Sequence, residues 1–207
     1  MEANEAGTGD GRSRCGWCLG DAEYQAYHDQ EWGVPLLAAG SLFRLLSLET
    51  MQAGLAWITV LRKRTQMDLC FHDFSIEWLA GCGEQQIVRW LNDSGLIRHR
   101  GKLEALINNA KRASEEPEFA ALLWSFAPPL DQEKPTSVPS LTAESKLMSK
   151  TLKAKGFKFV GPTTCYAFMQ SAGMVNDHHP SCWRYEACQS MLQSAIASRP
   201  NCDGALS

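Results

Sequence analysis

The chain has 207 residues, 44% hydrophobic and 21% charged, which is enough apolar surface for one folded domain, or one and a half, and excludes a disordered tail or a fibre. A formal net charge of -3, taken over the whole chain, argues weakly against a nucleic-acid partner. The N-terminal MEANEAGTGDGRSR is acidic and glycine-rich where a signal peptide is basic and then apolar, and no run of 18 apolar residues follows. These features predict a cytoplasmic protein with no membrane partner.

In chain order, residues 1–13 read as a disordered acidic tail. Trp17, Tyr24, Tyr27 and Trp32 then crowd together, and Ser41 to Gln52 predicts a helix whose apolar stripe is Leu42, Leu45, Leu46 and then Glu49. Burying an unpaired carboxylate is expensive, so Glu49 either reaches solvent or faces a polar site cut into the core. Helical spacing recurs at Trp57, Val60, Leu61 and Arg64, at Ile87, Trp90 and Leu91, and at Leu103, Leu106, Ile107 and Ala110. No stretch alternates with period two, so the fold class expected is all-α. Arg98, Arg100 and Lys102 form one basic cluster, and Ala127 to Pro139, with four prolines, reads as an extended connection.

From Ser145 to Asn176 there is no acidic residue, while Lys146, Lys150, Lys153, Lys155 and Lys158 all fall there. Leu147 to Lys155 predicts a helix stopped at Gly156. A short turn comes next, and Gly161-Pro162 opens another helix. Glycines in such a hairpin let backbone approach a phosphate, and the second helix offers it free N–H groups. The surrounding lysines favour DNA over an ordinary connection. Residues 191–207 read as a second disordered tail.

Eight cysteines without a disulfide framework suggest reduced thiols and a metal. Cys15 and His28 near the start, and His178 and Cys182 near the end, would close a tetrahedral zinc site with no open position, which is a structural arrangement. Cys18 and His179 compete as ligands on spacing alone. Cys70, Cys82 and Cys165 read as small buried apolar groups. The clustered aromatic rings with Glu49 suit a flat cationic base, because ring quadrupoles attract positive charge and a carboxylate accepts from an exocyclic amine.

Seven blocks carry a resemblance: Cys15-Gly16-Trp17, Tyr24-Gln25-Ala26-Tyr27-His28-Asp29, Glu31-Trp32-Gly33-Val34-Pro35, Gln52-Ala53-Gly54-Leu55-Ala56-Trp57-Ile58-Thr59-Val60-Leu61, Arg98-His99-Arg100-Gly101-Lys102, Gly156-Phe157-Lys158-Phe159-Val160-Gly161 and Val175-Asn176-Asp177-His178. In this order, from about Arg14 to Trp183, they closely resemble the zinc-containing bacterial 3-methyladenine DNA glycosylases, type I. The resemblance implies a helix-hairpin-helix domain at about 36–174 and a zinc-binding subdomain from 14–35 plus 175–190, together a single glycosylase unit over 14–190.

It also implies base-excision repair of alkylation damage by a monofunctional hydrolase. Such an enzyme removes 3-methyladenine from double-stranded DNA, leaves an abasic site, and has no lyase activity. The expected state is a monomer, with free 3-methyladenine as product. Carried over by position, one structural zinc is held by Cys15, His28, His178 and Cys182. Glu49 is the catalytic residue, and Tyr27, Trp57, Trp17 and Tyr24 bind the base. Leu55 enters the space left by the flipped nucleotide, and Gly156, Lys158 and Gly161 contact the DNA backbone.

The chemistry agrees with one departure from related hairpin glycosylases. Many of those place an assisting aspartate where this chain has Asn176. Methylation at N3 already makes adenine a cationic leaving group, so no strong general acid is required. Two rival readings remain on the residues alone. A zinc-stabilised DNA-binding module gives Glu49 and the tyrosines no role, and a zinc hydrolase lacks an open coordination position.

Overall fold

The structure, a computed structural model, describes residues 10–130 and 137–198. Among these the chain is all-helical: a 3-10 turn at Gly16–Cys18, then α1 (Ala22–Gln30), α2 (Ala39–Gln52), α3 (Trp57–Cys70), α4 (Ile76–Ala80), α5 (Glu84–Leu91), α6 (Arg100–Ser114), α7 (Phe119–Trp124), α8 (Ala143–Ala154), α9 (Pro162–Ser171) and α10 (Tyr185–Ala197). No described helix is long and apolar enough to cross a membrane. The described residues divide into two compact units, one comprising residues 10–37, 128–130, 137–138 and 170–198, the other 38–127 and 139–169.

The second unit is built around α2. Every residue from Leu45 to Met51 is buried, so the expectation of a one-sided stripe is corrected to a helix covered all round. Two of its polar members find partners within this unit: Thr50 Oγ1 donates to the Leu46 carbonyl at 2.9 Å, and Arg44 is bidentate on Asp68 of α3. Glu49 lies in this covered stretch with only 3% exposure, which removes the solvent-facing alternative.

The hairpin between α8 and α9 obeys its local punctuation. Thr142 caps α8 by accepting from the Ser145 N–H at 3.2 Å, Gly156 takes φ +86, and α9 begins at Pro162. Phe157 anchors the turn by stacking on Phe119 of α7 at 6.0 Å, and Phe119 packs on Phe43 of α2. Asn109 of α6 clamps the next residue from both sides: its amide donates to the Lys158 carbonyl at 3.0 Å, and its oxygen accepts from the Lys158 N–H at 2.8 Å.

In the first unit, Asp21 caps α1 by accepting from Glu23 and Tyr24. The Leu36 N–H donates to Ala172, and Gly173, at φ +67, lies so close that a Cβ there would be 2.5 Å from Pro35 N. Only glycine fits, and this contact sets residues 35 and 36 against 172 and 173.

The tail expectations are corrected in part. The helix α10 continues to Ala197 and buries Cys188, Leu192 and Ala195, so residues 191–197 are not a disordered tail. That stripe is short and interrupted by serine and glutamine, which hides its period. Residues 10–13 are also held, with Asp10 on Arg14 and the Arg12 guanidinium 4.4 Å over the Trp183 ring. Residues 1–9 and 199–207, and 131–136 of the proline-rich connection, lie outside the described residues.

Candidate functional site

The first unit gathers four buried ligand atoms. One atom each from Cys15, His28, His178 and Cys182 lies within 4.8 Å of the others. The two histidines use different nitrogens. His28 presents Nε2, 3.4 Å from Cys182 Sγ, and His178 presents Nδ1, 3.6 Å from both sulfurs. Each remaining ring nitrogen faces an acceptor: His28 Nδ1 lies 2.8 Å from Asp29 Oδ1, and His178 Nε2 lies 3.1 Å from the Trp32 carbonyl. Those acceptors favour a ring proton on the outward nitrogens, the tautomers that turn a lone pair toward a metal.

The sulfurs are prepared as well. Backbone N–H groups of His179 and Arg184 point at Cys15 Sγ and Cys182 Sγ, at 3.3 and 3.5 Å. The hydrogen bond between the two thiols holds the pKa of Cys182 far below the thiol range and pushes that of Cys15 up, with burial adding to the latter. Two thiolates and two oriented imidazoles can hold a metal ion, and four protein donors leave no position for a reacting water. Cys18 lies outside this set of four although its side chain also reaches His28; its thiol donates to the Cys15 carbonyl at 3.1 Å, and the His179 ring bonds Ser181 Oγ at 2.8 Å.

A second layer was not singled out from the sequence. Asp29, which bonds His28, accepts from Arg14 Nε at 3.0 Å, from the terminal guanidinium nitrogen at 2.7 Å, and from Trp183 Nε1 at 3.3 Å. Burial raises the pKa of this carboxylate, but hydrogen bonds from Arg14, His28 and Trp183 outweigh it and hold the group below its ordinary range. The available signal was adjacency: Arg14 precedes one ligand and Asp29 comes directly after another.

Aromatic rings surround the same centre. Trp17 meets Tyr24, Tyr27, His28 and Trp32 edge-on, with centroids 5.0 to 6.3 Å apart, and Trp32 packs on His178 at 4.6 Å. Tyr27 is buried, with its hydroxyl donating to Ser171 at 3.0 Å. The structure thus brings Trp17, Tyr24 and Tyr27 together beside the candidate metal ligands.

Within the second unit, Glu49 is in the last turn of α2, Trp57 opens α3, and Leu55 projects from the loop between them with 40% exposure. Lys158 is exposed at the hairpin, and a Cβ built on Gly161 would meet nothing within 4 Å. Lys146, Lys150 and Lys153 are exposed along α8, whereas Lys155 pairs with Glu116. The basic cluster of Arg98, Arg100 and Lys102 is corrected: Lys102 is buried, and Arg100 is paired with Glu84 at 2.8 Å. Cys82 and Cys165 are buried as expected, but Cys70 is half-buried with its thiol on Asp93 at 3.4 Å.

Asn176 is committed to the first unit. Its amide donates to the Tyr185 carbonyl and Gln189 Oε1 at 3.0 and 3.1 Å, and its oxygen accepts from the His178 N–H at 3.3 Å. Asp177 accepts from Gln170 at 2.8 Å.

A family model of methyladenine glycosylases matches residues 17–185. The chain belongs to the methyladenine glycosylase family. It is 46% identical over 181 residues to DNA-3-methyladenine glycosylase 1 of Escherichia coli (strain K12), covering 83% of this chain and 96% of that one. A crystal structure of a 3-methyladenine DNA glycosylase I matches with TM-score 0.76 and 44% identity over 82% of this chain and 98% of its own. A variant of a 3-methyladenine DNA glycosylase I in complex with 3-methyladenine matches with TM-score 0.75 and 33% identity over 83% of this chain and 97% of its own. The matched methyladenine glycosylase span contains every candidate site residue except Cys15, two positions before it.

Proposed function

We propose that this methyladenine glycosylase hydrolyses the N-glycosidic bond of 3-methyladenine in alkylated double-stranded DNA, releasing the free base and leaving an abasic site. The observation that carries the reading is the family match across residues 17–185, which takes in the buried Glu49 and the aromatic residues Trp17, Tyr24, Tyr27 and Trp57.

The reaction asks little of the protein as an acid. The methylated base bears a positive charge and departs neutral, so the barrier falls with complementary charge and exclusion of water. Glu49 is assigned to the base edge, accepting from its exocyclic amine and offsetting its charge. Tyr27, Trp57, Trp17 and Tyr24 are assigned the aromatic faces, where the ring quadrupole favours a cation. Extruding the nucleotide costs roughly a few kcal/mol, least for a damaged base, and Leu55 is assigned to the space it leaves. Gly156, Lys158 and Gly161 are assigned to the DNA backbone. In support, nothing inside the fold requires Gly161 to lack a Cβ, whereas a phosphate drawn up to the backbone would.

Zinc is the metal that two thiolates and two imidazoles in a closed set favour, and its role is to hold the first unit together. We assign that unit's subdomain to residues 14–35 and 175–190, the helix-hairpin-helix domain to about 36–174, and the chain to a cytoplasmic monomer. No lysine is assigned to attack the sugar, so the strand stays uncut.

The experiment is a base-release assay on a methylated duplex, with freed bases separated by chromatography and the strand run on a denaturing gel. Free 3-methyladenine with an intact strand is expected. No release, or strand cleavage in step with release, would refute the proposal.

A further inference from the structure

The unit that carries Glu49 also buries a lysine. Lys102, in the first turn of α6, is 4% exposed, and its ammonium donates to the carbonyls of Met51 at 2.8 Å and Ala53 at 2.7 Å. Both acceptors belong to the C-terminal end of α2, where Ala53 is the cap. The last carbonyls of a helix have no partner within it, and that end carries partial negative charge, so an ammonium is well matched there.

It is nonetheless an unusual way to finish a helix. Burial disfavours the charged form and lowers the Lys102 pKa. An apolar side chain of similar size commonly serves stability as well as a buried charge does, or better. The position invites a reason beyond packing, and the loop that leaves the end of α2 supplies one. Immediately after Ala53 the chain turns at Gly54, φ +77, to Leu55, which projects into solvent, and α3 then begins at Trp57. Lys102 therefore grips the root of the loop from which Leu55 projects. The grip spans distant sequence, 51 and 49 residues to its two acceptors.

We propose that Lys102 is a positioning residue for base excision: its ammonium fixes the α2 terminus and the 52–57 loop, so that Leu55 is presented in the conformation that holds the duplex open. The inference rests on the reading that Leu55 enters the space left by the extruded nucleotide. A loop that must be ordered during opening adds its entropy to the unstacking cost, whereas a loop already held adds none. The consequence is selective. Removing the grip slows excision most where opening is hardest, and leaves recognition of a base that needs no extrusion.

The test uses the full-length chain with Lys102→Met, which keeps an unbranched stem and deletes the donors. Single-turnover excision is compared for 3-methyladenine opposite thymine and opposite an abasic site, beside binding of free 3-methyladenine and a thermal melt. We expect about a 10- to 100-fold loss opposite thymine, a much smaller loss opposite the abasic site, and unchanged binding of the free base. Leu55→Ala is run in parallel and shows the same selectivity. If Leu55→Ala loses nothing selectively, the reading of Leu55 fails while base release itself stands. If Leu55→Ala is selective and Lys102→Met instead falls equally on both substrates with a lower melting temperature, Lys102 is scaffold and the proposal is overturned. Should Lys102→Met not fold, Lys102→Gln, which keeps two donors on a shorter stem, takes its place, and failure of both to fold overturns the proposal as well.

Discussion

Replacing Asp29 with alanine tests whether the layer behind the candidate metal ligands controls metal binding. The substitution removes the acceptor that fixes His28, at 2.8 Å, and leaves its Nδ1 free to lose or rotate its proton. It also strips Arg14, 4% exposed, of its contacts at 2.7 and 3.0 Å while leaving its ion pair with Asp10 in place. Loss of an outer-shell partner of a ligating histidine typically weakens metal binding by roughly 10- to 100-fold, or about 1.4 to 2.7 kcal/mol. The assay is competition with a chromophoric chelator at neutral pH, with a melt of the metal-loaded protein alongside. Because the folded-state pKa of Asp29 is depressed, its contribution is present above the unfolded value of about 4 and disappears as pH falls through the folded one. The stability gap between wild type and variant should therefore be constant near neutrality and close only in acid. Unchanged metal affinity in Asp29→Ala would refute the argument and reduce Asp29 to a partner of Arg14.

Elemental analysis should find one zinc per chain, and chelation should unfold the first unit instead of leaving a folded, inactive protein; full zinc content in a Cys15→Ala, His178→Ala double variant would contradict the ligand set. Glu49→Gln should keep the melting temperature, since it removes a desolvated charge at constant shape, while excision falls by roughly 10²-fold and free 3-methyladenine binding weakens. A large drop in melting temperature with intact base binding would place Glu49 in the scaffold. Affinity for DNA should fall steeply with salt, and Lys158→Ala should flatten the log–log slope by about one unit; an unchanged slope would remove this lysine from the interface.

What was legible in the sequence was local. The α8–Gly156–Pro162 hairpin could be placed because glycine and proline act on their own backbone, and the helical class came from spacing within single segments. The four candidate metal ligands were legible as residue types but not as a choice. What separates Cys15 from Cys18, and His178 from His179, is where the other groups go: the Cys18 thiol to a carbonyl, the His179 ring to Ser181. Burial of Lys102 was hidden because its acceptors lie about 50 residues away and its neighbours, Arg98 and Arg100, are exposed. The covering of α2 from Leu45 to Met51 does not follow from a spacing pattern, because Ser47 and Thr50 are polar and Thr50 is buried while bonding its own helix.

Asn176 shows how the candidate metal site bears on the chemistry proposed for this chain. The residue is 4% exposed, and its amide nitrogen serves two acceptors while its oxygen holds the backbone of His178. An aspartate here would keep the acceptor and lose both donations, setting a buried carboxylate against the Tyr185 carbonyl and Gln189 Oε1. Each donor or acceptor left unsatisfied in the interior costs roughly 1–3 kcal/mol, and an ionised carboxylate facing oxygens costs more unless it takes up a proton. The position is thus tied to the ligand His178, and an assisting carboxylate is not compatible with these partners. That fits a substrate whose positive charge already weakens the glycosidic bond. We expect Asn176→Asp to lower the melting temperature and the metal affinity together, and to bring no excision of uncharged damaged bases. A stable, metal-replete Asn176→Asp protein that gains activity on an uncharged base would show that the residue faces the reaction and not the metal centre.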